Sequence, residues 1–314
     1  MELRRRDLLA AAAAAGIGGI GPKTSGAQSP ATAPAARKAV LRLSSQEGVM
    51  AGANLAEKLD NMERWGFEGL EVSGKGLPGR VKELKDALKG RPIRISAVCA
   101  GFDGVLVSEN RETRELALRT MKEILTAAGE LEAIGLIIVP AFNGQTKLGH
   151  REIRDLLVPF HRWDKRPKEP VPTLLYELGE HAVKVGSRIL LEPLNREECY
   201  FLRQLADAAA LCRDINHPGI RMMGDFWHMT WEETSDMGAF ISAGEYLRHV
   251  HIASRRNRRV PGEDGPADNY VEGFRGLKTI GYQDFVSLEC GAAGDRKVVL
   301  PAAVTLLREQ WDRA

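Results

Sequence analysis

Ile189-Leu190-Leu191-Glu192-Pro193-Leu194-Asn195-Arg196 begins as three aliphatic residues and runs straight into a carboxylate. A continuous aliphatic run suits a strand buried on both faces, and a charge set directly after it is costly to bury without a partner. The arrangement recurs downstream. Met223-Gly224-Asp225-Phe226-Trp227-His228, His249-Val250-His251 and Ser287-Leu288-Glu289-Cys290 each place an acid or an imidazole in or after an apolar run. Upstream, Val40 to Ser44, Gly69 to Val72, Ile93 to Cys99 and Leu136 to Val139 are further short β-branched or aliphatic runs. Together with Ile189 to Leu191, Ile220 to Gly224, His249 to Ile252 and Phe285 to Leu288 they make eight.

Helical spacing fills the intervals. Leu55, Leu59, Met62 and Trp65 form one apolar stripe at i, i+4, i+7 and i+10. Similar patterns hold Leu116, Thr120, Glu123 and Ile124; Leu174, Leu175 and Leu178; and Phe201, Leu202, Leu205 and Leu211, with Val298 to Trp311 as a closing helix. Eight alternations with no break in composition predict an α/β fold, a single-domain (β/α)8 TIM barrel over residues 39–314. The alternative, an open doubly wound sheet, calls for a Gly-rich phosphate loop after the first strand. Leu43-Ser44-Ser45-Gln46-Glu47-Gly48 holds no G-x-G-x-x-G. The long connection from Asn143 to Pro172 has apolar positions at Ile153, Leu156, Leu157 and Phe160, which predict an extra helix over the barrel mouth.

The chain has 314 residues, 44% hydrophobic and 27% charged, which excludes a disordered or coiled-coil protein. Its first segment stands apart. Arg4-Arg5-Arg6-Asp7-Leu8-Leu9 leads into an Ala/Gly run ending at Ile20, with small residues at Ser25-Gly26-Ala27. That order of charged, apolar and small residues predicts an export signal over residues 1–27, similar to twin-arginine signals, then a flexible linker over 28–38. Leu8 to Ile20 is 13 residues, short of the roughly 20 a membrane span needs, so no stable membrane anchor is expected. The expected location is periplasmic or otherwise exported. Loss of the signal removes Arg4, Arg5, Arg6 and Lys23 against Glu2 and Asp7, and this turns a net charge of +2 into neutrality. A neutral chain lacks the basic field that nucleic acid demands. Four cysteines without a C-x-x-C pair leave stability to the core.

In a parallel barrel, side chains at the carboxyl ends of the strands converge on one pocket. Glu192, Asp225, His251 and Glu289 stand at four successive strand ends, where bare anions would repel one another. A central divalent cation resolves that conflict, so these four are expected to hold one metal ion. Three oxygens and one nitrogen suit Mn²⁺ first, with Mg²⁺, Co²⁺ or Zn²⁺ also able to bind.

Glu192-Pro193-Leu194-Asn195-Arg196, Asp225-x-x-His228, His249-x-His251 and Ser287-Leu288-Glu289-Cys290 resemble the signatures of the xylose-isomerase-like sugar isomerase and epimerase superfamily. The nearest branch is the ketose 3-epimerases of the D-tagatose and D-psicose type, with hydroxypyruvate isomerase as a cousin. The resemblance covers the whole mature barrel. It implies the same four metal ligands and adds substrate contacts at Glu198, His228 and His249. It also implies an Arg following an Asn beyond the metal-binding His. Asn257-Arg258 fits one residue later than the usual spacing, with Arg256 as competitor.

A C–H next to a carbonyl is weakly acidic unless the developing enediolate is stabilised, which a chelated metal does while two carboxylates move the proton. Glu192 and Glu289 are the expected pair. Delivery from the opposite face gives epimerisation, and return to the neighbouring carbon gives isomerisation. Expulsion of a β-substituent, the lyase or dehydratase alternative, would suit a 3-oxo-sugar or oxidised glycoside. The expected partner is thus a small sugar or keto-sugar, and a homo-oligomer is compatible with the sequence. Two rivals share the barrel. An abasic-site endonuclease requires more metals, extra histidine ligands and a basic face, and a noncatalytic sugar-binding protein requires only the pocket.

Overall fold

The structure, a computed structural model, describes residues 38–158 and 173–314. The expected signal, the linker up to residue 37, Phe160 and the rest of that connection up to Pro172 lie outside the described residues. Eight parallel strands close into a barrel in chain order. They are β1 (Arg42–Gln46), β2 (Gly69–Ser73), β3 (Arg94–Cys99), β4 (Leu136–Ile138), β5 (Ile189–Leu191), β6 (Ile220–Asp225), β7 (Leu247–Ile252) and β8 (Phe285–Leu288). Closure is direct: β1 pairs β2 on one side and β8 on the other, with Leu43 opposite Val286.

The surrounding helices are α1 (Leu55–Trp65), α2 (Val81–Leu88), α3 (Arg111–Glu130), α4 (His150–Leu157), α5 (Leu174–Lys184), α6 (Leu205–Ile215), α7 (Phe226–Glu232), α8 (Asp236–Ala243), α9 (Val271–Thr279) and α10 (Arg296–Arg313). Local chemistry sets their ends. Asn54 accepts the Glu57 N–H to start α1, and Gly66, at φ 82°, takes the left-handed turn that stops it. The α1 stripe then packs Leu59 and Met62 inward at zero exposure. α4 is the extra helix expected in the long connection, with Ile153 and Leu157 buried.

The core has two parts, and their separation locates the site. Leu43, Leu70, Ile189, Leu191, Met222, Val250, Ile252, Val286 and Leu288 belong to the large cluster under the helices. Ala97, Ile137, Leu190 and Met223 form a separate small cluster inside the barrel. Strand side chains alternate in direction, so two residues beyond Leu190 and Met223 the same inward face carries Glu192 and Asp225. A packed aliphatic floor therefore underlies a polar layer at the carboxyl ends of the strands.

Some boundaries differ from expectation. β1 begins at Arg42 rather than Val40 and continues to Gln46, which puts Gln46 in the wall instead of a loop. Phe201 and Leu202 precede α6 rather than joining it. Leu202 closes the loop after β5 by accepting the Leu194 N–H. All four cysteines are free thiols. Among the described residues no helix is long and apolar enough to cross a membrane.

Candidate metal centre

Glu192 directly follows β5, Asp225 ends β6, His251 lies in β7 and Glu289 directly follows β8. One ligand atom from each lies within 4.8 Å of the others. His251 Nδ1 is 3.6 Å from Glu192 Oε1 and 3.1 Å from Glu289 Oε2. Asp225 caps α7 by accepting the Trp227 N–H on Oδ1, which leaves Oδ2 for the cavity. All four expected ligands are thus brought together.

The polar bookkeeping of the group fits a cation. Glu192 Oε1 and His251 Nδ1 are buried without a hydrogen-bond partner, and both face the shared space. Buried polar atoms are nearly always satisfied, so a carboxylate oxygen and an imidazole nitrogen 3.6 Å apart without a hydrogen bond suit a shared positive group, either a divalent cation or the proton that the surrounding carboxylates favour on His251. Burial pushes the Glu192 carboxyl above its ordinary range, and the Glu289 charge adds to this. Glu289 goes the other way: His251 and Arg258 overcome its burial and hold it well below the usual carboxylate range.

The expected substrate contacts surround this centre. His228 Nδ1 accepts the Asn195 N–H at 3.2 Å, so its proton sits on Nε2, 3.4 Å from Asp225 Oδ2. Glu198 is held by the Asn195 amide, which donates to Glu198 Oε1 at 2.9 Å. Arg258 donates to Glu289 Oε2 at 2.6 Å and reaches Asp225 Oδ2 at 3.5 Å. Arg258 takes a left-handed backbone conformation, with φ of 50°. Its competitor Arg256 is exposed, and its backbone N–H is bound to Asp264. Arg255 is buried against Asp236 and the Phe226 carbonyl.

His249 is placed differently from the other expected contacts. It has zero exposure and lies two residues before His251 on the inward face of β7, with its Nε2 2.7 Å from Glu71 Oε2. Glu71 and Gln46 are the groups that sequence reasoning missed. Glu71 sits inside an apolar run, Gly69-Leu70-Glu71-Val72, so the argument used for the last four strands also singles it out. Burial alone would raise the Glu71 carboxyl, but His251 and the hydrogen bonds from both imidazoles hold it well below its usual range. Cys99 ends β3 with its Sγ 4.0 Å from Glu289 Oε1, and burial pushes its thiol up. Phe226 is core, edge-on to Phe240, Tyr270 and Phe274. His150 bonds the Tyr200 carbonyl.

A closed parallel barrel with three carboxylates and an imidazole converging at its carboxyl mouth places a candidate metal site where barrel enzymes carry their active sites. Residues 59–310 match the family described as xylose isomerase-like TIM barrel, and the chain belongs to it. It is 29% identical over 249 residues to a 3-dehydro-D-guloside 4-epimerase of Escherichia coli (strain K12), covering 79% of this chain and 92% of that protein. A D-psicose 3-epimerase of Ruminiclostridium cellulolyticum is 34% identical over 113 residues, 36% of this chain and 38% of that one. Among solved structures, the apo 3-keto-D-glucoside 4-epimerase of E. coli superposes with a TM-score of 0.73 at 25% identity, covering 86% of this chain and all of that one.

Proposed function

We propose that this protein is a divalent-metal-dependent sugar epimerase or isomerase that moves a proton on a carbon next to a carbonyl. The observation that carries the proposal is the pair of glutamates beyond β5 and β8, which face one buried centre with an unpartnered Glu192 Oε1. Glu192, Asp225, His251 and Glu289 would hold the ion, with Mn²⁺ the first candidate for a three-oxygen, one-nitrogen set. A divalent ion bound there supplies Lewis-acid charge to neighbouring substrate oxygens and so acidifies the adjacent C–H. Glu192 and Glu289 take and return the proton. His228 offers an Nε2–H donor and Arg258 a fixed positive charge on the same side as Asp225. Glu198, with a third of its side chain open, offers an acceptor for a sugar hydroxyl. The relatives that span nearly the whole barrel favour a keto-sugar or 3-keto-glycoside as substrate.

The test is incubation of the Mn²⁺-loaded protein with ketoses, hydroxypyruvate and 3-oxo-glycosides in deuterated water, followed by proton NMR. Deuterium next to the carbonyl, together with a new stereoisomer or position isomer, is the expected result. Release of a β-substituent would reassign the protein as a lyase, and no exchange across the panel would remove the proposal. Export through the twin-arginine-type segment belongs to the same reading. Replacement of Arg4 and Arg5 by lysine should leave the protein unprocessed and in the cytoplasmic fraction.

A further inference from the structure

Glu71 lies at zero exposure inside the barrel wall and accepts from three groups. His249 Nε2 is 2.7 Å from Oε2, His251 Nε2 is 2.9 Å from Oε2, and the Gln46 amide donates to Oε1 at 2.9 Å. An ionised carboxylate only accepts, so each of these three nitrogens must present an N–H. That requirement fixes a proton on Nε2 of both imidazoles. The Nδ1 of His251 points at Glu192 and Glu289, where a divalent ion that takes the place of a proton would meet its lone pair. The Gln46 amide also donates to Glu289 Oε1 at 2.9 Å, which leaves Oε2 to face His251 and Arg258. One side chain on β1 and one on β2 thus orient two groups contributed from the other side of the barrel closure.

We propose that Glu71 and Gln46 are positioning residues, which fix the tautomer and ring orientation of His251 and the carboxylate plane of Glu289 for a divalent ion. This rests on the metal-centre reading above. His249 belongs to the same network and holds Glu71 from below rather than meeting substrate. A carboxylate behind a ligating imidazole keeps its lone pair forward and raises its basicity, and loss of such a partner typically weakens metal binding about 10- to 100-fold. In Glu71→Gln one accepting oxygen becomes an NH₂ that opposes an imidazole N–H, so a ring must turn or change tautomer. In Gln46→Met the Glu71 charge stays and only the two amide hydrogen bonds are lost.

The experiment is titration of the full chain with Mn²⁺ in the absence of sugar, with free ion read by its paramagnetic resonance signal. The expected result is one Mn²⁺ per wild-type chain, affinity weakened about 10- to 100-fold in Glu71→Gln, and a smaller loss in Gln46→Met. Deuterium exchange by Gln46→Met should recover as Mn²⁺ is raised to saturation, a recovery that a defect of folding alone would not give. Gln46→Met also keeps the test decisive should Glu71→Gln fail to fold. Wild-type affinity in both variants overturns the positioning role and leaves the metal centre standing. Two Mn²⁺ per wild-type chain also overturns it, because Glu71, His249 and His251 would then be ligands to a second ion. A wild-type chain that binds no Mn²⁺ overturns both readings.

Discussion

Glu192 and Glu289 hold matching positions, each one residue past its strand, yet their surroundings pull their acidities apart. Burial dominates at Glu192, where Oε1 has no partner and the neighbouring Glu289 charge adds to the rise. Glu289 is also buried, but His251, Arg258 and the Gln46 amide favour its ionised form. In the ion-free protein the two carboxyl groups thus differ in proton affinity, an asymmetry that proton-transfer partners commonly have. Glu192→Gln keeps the shape of the side chain while it removes the exchangeable proton and a ligand charge. Deuterium exchange into substrate should fall by at least about 10³-fold, near the range that a positioned acid or base contributes, with the folded state retained. NMR in deuterated water together with a thermal unfolding scan checks both halves. Undiminished exchange would remove Glu192 from the chemistry.

The connection after β7 shows how an element without regular structure holds a functional side chain. Asp264 accepts the backbone N–H groups of Arg256 and Asn257 and the Asn257 amide, and so pins the turn from which Arg258 reaches inward. Slight burial would raise its carboxyl, but the Ser254 and Asn257 side chains and those backbone donors lower it from 3.8 to about 2. A depressed pKa gives stability that is present above the unfolded value and lost as pH falls through the folded one. In Asp264→Ala, kcat/KM should drop at least about tenfold through misplacement of Arg258, on the scale of a lost positioning contact. The difference in denaturation midpoint between wild type and this variant should be full at pH 5 and narrow as pH falls below 4 toward 2; a gap that does not change with pH would show that the Asp264 charge contributes nothing. The turn also marks where the sequence stops being legible. β5 to β8 announce themselves because a parallel barrel strand is an aliphatic run and a charge at its end is conspicuous. β1 does not, since Arg42-Leu43-Ser44-Ser45-Gln46 has one large apolar residue and Ser44 is buried through a 2.7 Å hydroxyl contact with Ser96. Its boundary therefore slips by two residues and Gln46 goes unseen. Glu71 escapes notice for a related reason: its partners are two histidines some 180 residues away, and no local pattern shows that pairing.

Across the whole molecule, the polar layer at the carboxyl mouth is divided between the two halves of the barrel. β1 to β3 contribute Gln46, Glu71 and Cys99, which sit behind or beside the centre, while β5 to β8 and their ends contribute every expected ligand. An ion held there would tie four neighbouring staves together at the end where side chains, rather than the aliphatic floor, fill the barrel. Without it, the Glu192, Asp225 and Glu289 carboxyls lean on Arg258 and on a protonated His251 for balance. Binding to the folded chain alone stabilises by mass action, about 2.7 kcal/mol with the ion at 100 times its dissociation constant. For a domain near this size each kcal/mol moves Tm by roughly 2–4 °C, so treatment with a chelator should lower Tm by about 5–10 °C. Far-ultraviolet circular dichroism below that temperature should stay unchanged, because the cluster under the helices does not depend on the mouth. Added Mn²⁺ should restore the transition in wild type but only weakly in Glu289→Gln, which has lost one of its anionic ligands. A transition indifferent to both chelator and Mn²⁺ would mean that His251 and Arg258 alone balance the carboxylates, leaving the centre as an ion-pair network with no metal to hold.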